Sequence, residues 1–203
     1  IFESCCGKTI CHGCVCAMFE TGGKNMKLCP FCKTPQPTSH EEELKRFEKL
    51  MEKGNVNAIN QLASYYTDGV MGLPQDNEKS NELLIKAVKL GHGGAYYNLG
   101  NAYFFGRGMA IDEIKAKYYW ELATMNGCVE ARHNLGLSEK YAGNQQRAYK
   151  HLILAAKAGY KESLDNIKQG YTIGHVTKDE YENTLRAYQK SHDEMKSEAR
   201  DKS

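Results

Sequence analysis

The sequence predicts a mostly α-helical chain: an α/α superhelical solenoid of repeated helix pairs, preceded by a small cysteine-rich module. Three observations lead there. A block of glycine, small residue and apolar residue recurs at near-constant spacing. Each block is followed, past a turn, by a residue suited to open a second helix. Seven of the eight cysteines (Cys5, Cys6, Cys11, Cys14, Cys16, Cys29 and Cys32) fall within the first 32 residues.

The repeat is read from aligned positions. Gly54, Gly91, Gly127 and Gly159 lie 37, 36 and 32 residues apart, and each is followed four residues later by Ala58, Ala95, Ala131 or Ser163. Four residues further come Leu62, Leu99, Leu135 and Ile167, and then Tyr66, Tyr103, Glu139 and Tyr171. Positions i, i+4 and i+8 share one helix face, so small, aliphatic and aromatic side chains form one apolar stripe. A glycine-bearing turn follows, and Asp76, Asp112 and Asn144 open the next segment. Asp and Asn side chains accept the orphan N–H groups of a helix start. Glycine fits the left-handed residue that ends a helix. Each unit is therefore two antiparallel helices, which cannot bury their apolar face alone and must stack on neighbours.

The segment Ala95–Gly108, continuing through Asp112, Lys115–Ala116 and Tyr119–Trp120 to Gly127, resembles the Sel-1-like repeat family, an α/α solenoid related to the tetratricopeptide repeats. The resemblance implies repeats at about 58–91, 95–127 and 131–159 and a degenerate one at 163–190. Ala63 stands where the family usually has Gly, and Glu139 where it has Tyr. Residues 41–53 are expected to form a closing half-unit that caps the solenoid, with Leu44, Phe47, Leu50 and Met51 as its apolar stripe. Thr177–Glu180 reads as a capping box that opens the last helix, which gives way to a tail over 191–203. Solenoids of this family hold protein partners, so a substrate or partner is expected on the first-helix face, with Asn60, Asn98, Asn101 and His133 as candidate contacts.

The cysteines ask for different chemistry. Cys11–Cys14 and Cys29–Cys32 are Cys-x-x-Cys pairs, which let two thiolates from one turn reach one zinc ion at about 2.3 Å. Disulfides would be spread among the elements they join, whereas dense short-range pairs read as metal ligands in a reducing compartment, the cytoplasm or the nucleus. With Cys5 and Cys6 the set exceeds one tetrahedral site.

The layout resembles the RING family, in which eight ligands hold two zincs in a cross-brace. The resemblance implies that Cys11 and Cys14 serve one Zn2+, whose other pair lies before residue 1, and that Cys29 and Cys32 serve the second with the Cys5/Cys6 pair. Lys8 stands where the usual histidine would be, so either Cys5 and Cys6 both ligate or Cys6 ligates with another partner. His12 and Cys16 lack metal-pair spacing. In the family, a shallow apolar groove recruits a ubiquitin-conjugating enzyme and orients its bound ubiquitin for attack, without covalent catalysis by the RING. Pro30 and Phe31 match that groove, and Lys33 takes the place of the cation, usually Arg, that contacts ubiquitin. A lysine cannot make the same forked contacts. The implied function is a zinc-binding ubiquitin-ligase component; the alternative is a non-catalytic interaction scaffold with a structural zinc module.

Composition bounds the remainder. Residues 1–33 are the expected module, 34–40 a Pro-containing polar linker, and 41–190 the solenoid. Net charge is +2, with Lys8, Lys24, Lys27 and Lys33 against Glu3 and Glu20 in the first forty residues and balanced charge beyond. That mixed surface excludes the concentrated basic face nucleic-acid binding requires. No apolar run approaches the roughly 20 residues of a membrane-spanning helix. The chain begins at Ile1 inside the cysteine cluster and is expected to continue upstream, where a signal peptide is left open.

Overall fold

The computed structural model describes residues 5–7, 28–29 and 31–195. Among them are nine helices and no strand: α1 (His40–Glu52), α2 (Val56–Asp68), α3 (Asn77–Lys89), α4 (Gly93–Phe105), α5 (Glu113–Met125), α6 (Val129–Tyr141), α7 (Gln145–Lys157), α8 (Lys161–Thr172) and α9 (Lys178–Met195). The fold is the α/α repeat solenoid expected from the periodicity. The chain divides into two compact units. The first holds the described residues up to Ala95 with Gly106–Ala110; the second holds Tyr96–Phe105 and the described residues from Ile111 onward.

In the first unit, α1 packs on α2 and α2 on α3. Ser39 caps α1, its side chain accepting from the Glu42 N–H, while the Glu42 carboxylate accepts from the Thr38 N–H at 2.9 Å. Phe47 is buried and meets Tyr65 edge to face, with ring centroids 5.4 Å apart. Asn55 caps α2 and Asp76 caps α3, the latter accepting from the Lys79 N–H at 2.9 Å. His92 begins α4 in a different way. Its Nδ1 accepts from the Ala95 N–H at 3.1 Å, and its Nε2 lies 2.9 Å from Asn57 Oδ1. An amide oxygen only accepts, so Nε2 carries the proton and the ring is neutral.

In the second unit, α5 packs on α6, α6 on α7 and α7 on α8, and α9 lies against both α7 and α8. Ala116, Trp120, Ala123, Ala131 and Leu135 form one core cluster; Tyr149, Leu152, Ala156, Ile167 and Val176 form another. One device sets how closely the two helices of a repeat approach. A Cβ added at Gly100 would lie 2.5 Å from Trp120 Cδ1, and one at Gly136 would lie 2.8 Å from Leu152 Cγ. Both are closer than carbon atoms pack, so glycine is required for these crossings. Thr177 and Glu180 complete the capping box ahead of α9: the Thr177 N–H donates to the Glu180 carboxylate at 2.9 Å and the Glu180 N–H donates to Thr177 Oγ1 at 3.3 Å.

Three positions depart from the repeat. Asn144 precedes α7, but its side chain donates to Glu139 Oε2 at 2.8 Å and makes no cap bond. Glu139, standing where the other repeats have Tyr, also accepts from Lys117 Nζ at 3.0 Å, so an ion pair between α5 and α6 takes the place of the lysine-over-ring contact seen for Tyr66 with Lys79 (4.4 Å) and Tyr103 with Lys115 (5.1 Å). Tyr171 is 41% exposed instead of closing its stripe, and it stacks on Tyr181 at 5.2 Å.

The caps set a modest expectation. Asp112 accepts from the Lys115 N–H at 2.9 Å and pairs with Lys115 Nζ at 3.2 Å. Asp112→Ala is expected to lower unfolding free energy in urea by about 1 kcal/mol, with the helix retained. A loss below a few tenths would show that α5 gains nothing from its cap.

Candidate functional site

The described cysteines converge. The Sγ atoms of Cys5, Cys6, Cys29 and Cys32 all lie within 4.8 Å of one another. Cys32 and Cys5 sulfurs are 3.3 Å apart and Cys6 and Cys29 sulfurs 3.8 Å apart. Four thiolates about 2.3 Å from one zinc ion sit at tetrahedral edges of about 3.8 Å, so this donor set fits a tetrahedral soft-metal site. Both members of the adjacent Cys5–Cys6 pair lie in the cluster. Cys11, Cys14 and Pro30, along with Lys8, His12 and Cys16, lie outside the described residues.

Two short segments build the cluster. Leu28 and Pro35 form an isolated antiparallel bridge, the Cys29 N–H donates to the Thr34 carbonyl at 2.7 Å, and the Lys33 N–H donates to the Cys29 carbonyl at 3.0 Å. Lys33 takes φ 60°, the left-handed region, and so completes the turn that brings the Cys29 and Cys32 thiols together. The other segment turns at Gly7, also left-handed at φ 70°, where a side chain would run into Asn55. Both segments rest on the first helices of the same unit: Arg46 Nη1 donates to the Pro35 carbonyl at 2.8 Å, and Asn55 Nδ2 lies 3.5 Å from the Gly7 carbonyl. Of residues 34–40, expected as a linker, Pro35 is tied to α1 by the Arg46 bond, and His40 is already the first residue of α1.

Charge is unevenly shared among the thiols. Burial, with hydrogen bonds to Cys32 and Cys29, pushes the Cys5 thiol far up. The Thr34 hydroxyl and its backbone N–H, with Cys5 after them, bring Cys32 down to about 6. Like charges at these separations oppose one another, so the four can ionise together only around a cation. Cys29 is fully buried and Cys32 is exposed at the rim, next to Phe31 at 41% exposure.

Two of the predicted contacts on the first-helix face, His133 and Asn101, are engaged by neighbouring helices. His133 is buried, its Nδ1 2.8 Å from Ser163 Oγ and its ring 4.9 Å from that of Tyr160, so it joins α6 to α8 and does not face a partner. Asn101 Oδ1 accepts from Trp120 Nε1 at 3.0 Å and from Asn134 Nδ2 at 3.1 Å, tying α4, α5 and α6. Neighbouring helices compete for these polar groups, and the periodicity does not show that competition. Cys128 stands before α6 with its thiol raised to about 11, chiefly by burial.

The imidazoles carry a pH expectation. Burial lowers the pKa of His92, His133 and His151 from 6.5. The folded chain thus holds these protons less readily than the unfolded chain. The associated stability is complete above 6.5 and is lost as pH falls through the folded values. Melting temperature is expected to drop between about pH 7.5 and about pH 5.5. His92→Asn, which keeps an acceptor for the Ala95 N–H without titrating, is expected to shrink the drop; an unchanged drop would exclude His92 as a contributor.

No described helix is long and apolar enough to cross a membrane. The fold is that of the Sel1 repeat protein from Oxalobacter formigenes, with a TM-score of 0.65 at 18% identity over 88% of this chain and 71% of that one. It is also that of a protective antigen present in uropathogenic Escherichia coli strains and displaying an SLR fold, with a TM-score of 0.67 at 20% identity. This match takes in 90% of the present chain and 37% of the antigen, so the chain spans well under half of that protein. The Sel1 repeat model matches residues 56–92, 94–128 and 129–160, which correspond to α2–α3, α4–α5 and α6–α7. These matches take in just over half of the sequence, and the chain belongs to the Sel1 repeat family.

Proposed function

We propose that this chain is a protein-interaction scaffold whose Sel1 repeats hold a protein partner and whose N-terminal cysteines bind a structural Zn2+. The observation that carries the metal part is the convergence of the Cys5, Cys6, Cys29 and Cys32 sulfurs within 4.8 Å. When bound, the ion would supply the charge that lets four neighbouring thiols ionise together, fixing the two segments that rest on α1 and α2. Free thiols of this kind suit a reducing compartment, the cytoplasm or nucleus.

A second reading, a ubiquitin-ligase component, draws support from Phe31, a large apolar side chain 41% exposed beside the cluster, and from Lys33 directly after Cys32. On that reading Pro30 and Phe31 meet a ubiquitin-conjugating enzyme and Lys33 meets its bound ubiquitin. The discriminating experiment is discharge of ubiquitin from a panel of charged conjugating enzymes by the zinc-loaded chain, beside Cys29→Ala. Discharge accelerated by the parent and lost in the variant selects the ligase reading. Zinc bound without acceleration selects the scaffold. A folded chain that takes up no zinc overturns the metal assignment, and failure to select any ligand from a displayed peptide library overturns the scaffold.

A further inference from the structure

The four cysteines of the cluster differ in access. Cys32 is exposed, Cys5 and Cys6 are half-buried, and Cys29 is fully buried. Two close approaches run between the two segments: Cys32 Sγ lies 3.3 Å from Cys5 Sγ, and Cys6 Sγ lies 3.8 Å from that of the buried Cys29. Cys29 is also fixed through its backbone. Its N–H donates to the Thr34 carbonyl at 2.7 Å, and its carbonyl accepts from the Lys33 N–H at 3.0 Å. Cys32 keeps its access to solvent, with the Thr34 hydroxyl 3.1 Å from its sulfur.

A bound zinc ion keeps its sulfur ligands deprotonated, so the four differ in access and not in charge. Thiolates that reach solvent are oxidised first, and the product stays reversible when a second thiol stands ready to resolve it. Cys32 meets the first condition. Cys5, at contact distance from it and on the other segment, meets the second. The pair that sequence spacing suggests, Cys29 with Cys32, is disfavoured because Cys29 is covered and held in its turn.

We propose that hydrogen peroxide converts Cys32 and Cys5 to a disulfide and thereby releases the zinc ion, so that the cluster is a reversible redox switch. The proposal concerns regulation of the structural zinc site and rests on that reading. In the first step the Cys32 thiolate attacks one peroxide oxygen, the O–O bond breaks, Cys32 becomes a sulfenic acid and hydroxide leaves. In the second, the Cys5 thiolate attacks the Cys32 sulfur. The S–S bond forms, the S–O bond breaks and a second hydroxide leaves. Peroxide takes two electrons, one from each sulfur overall, and solvent protons turn both hydroxides to water. Cys6 and Cys29 remain, too few to hold the ion, and take up protons as it departs. The new bond joins residues 27 positions apart, so the two segments stay together without zinc. A dithiol reductant then restores the four-sulfur set.

The test uses the full chain, its zinc uptake measured before any oxidant is added. Hydrogen peroxide is then titrated in, released zinc is followed with a chromogenic chelator, and remaining thiols are alkylated before trypsin digestion and mass spectrometry. Cleavage after Lys8, Lys27 and Lys33 places Cys5 and Cys6 on peptide 1–8 and Cys29 and Cys32 on peptide 28–33. The expected product is a cross-link between these two peptides with Cys6 and Cys29 alkylated. One zinc ion is expected to leave for each such cross-link and to rebind after dithiothreitol. In Cys5→Ser, where the resolving thiol is gone, dimedone is expected to label Cys32; in Cys32→Ser no label is expected on Cys5. A Cys29–Cys32 disulfide within peptide 28–33, zinc retained through an excess of peroxide, or oxidation of Cys32 that dithiothreitol does not reverse overturns the switch while leaving the zinc site in place. A folded chain that takes up no zinc at the outset removes the metal reading and the switch with it.

Discussion

Cys29→Ala is expected to cost the chain one equivalent of bound zinc and to free the segment Leu28–Ser39 from the first helices. Cys29 is the fully buried member of the cluster, its sulfur 3.8 Å from that of Cys6 and its N–H bonded to the Thr34 carbonyl at 2.7 Å. Alanine leaves three thiols, which cannot close a tetrahedral structural site. Structural zinc sites in small peptides contribute on the order of 10 kcal/mol to folding, so on the proposed zinc reading the variant unfolds the segments the ion would join. The repeats hold cores of their own and are expected to remain helical. Zinc content by mass spectrometry, far-ultraviolet circular dichroism and limited trypsin digestion at Lys33 separate these effects. The expected outcome is one equivalent of zinc lost, little loss of helix and rapid cleavage at Lys33, reproduced in the parent by a chelator. Unchanged zinc content in Cys29→Ala would show that the four-sulfur cluster is not a metal site.

The repeats and the cysteine cluster are legible in the sequence for different reasons. Gly91 and Gly127, both left-handed, and Asp76 and Asp112, both capping, are fixed by local backbone demands, so each residue type announces its place. The Cys29–Cys32 turn is local as well. The roles of Asn101 and His133 are not, because Asn101 is occupied by Trp120 and Asn134, and His133 by Ser163, thirty residues onward. Such contacts depend on how successive helices stack, and a periodic pattern specifies that two faces meet without specifying which polar atoms pair. Ser39 is missed for a related reason: a cap three residues ahead of Glu42 is masked by the Pro-containing stretch before it, which reads as linker. Lys140 looks in sequence like one more surface lysine, and only the placement of α8 reveals its bonds to Asn166 and Gln169.

Trp120→Ala is expected to destabilise the second unit by about 3–5 kcal/mol, the range for deleting a large buried aromatic side chain. Trp120 is 2% exposed, packs on Phe104 and donates to Asn101 Oδ1, so the variant leaves both a cavity and a half-satisfied amide. The repeat itself supplies a sharper test than the size of the loss. Trp120 is the eighth residue after Asp112, as Leu84 is after Asp76, and Gly100 is the fifth after Ala95, as Ala63 is after Ala58. The first repeat thus combines alanine with leucine where the second combines glycine with tryptophan. A methyl group at Gly100 would meet Trp120 Cδ1 at 2.5 Å, so Gly100→Ala alone is expected to cost about 1–3 kcal/mol through overpacking. In a Trp120→Leu background the same change recreates the pairing of the first repeat, and its cost is expected to fall. It does not fall to zero, because the third repeat keeps glycine opposite Leu152 and the Ala116 carbonyl still lies 3.2 Å from a Cβ at Gly100. Urea unfolding of the two single variants and the double variant gives the coupling directly. Equal cost of Gly100→Ala in both backgrounds would mean that the helix crossing is set elsewhere, and that the glycine is retained for some reason other than room for the indole.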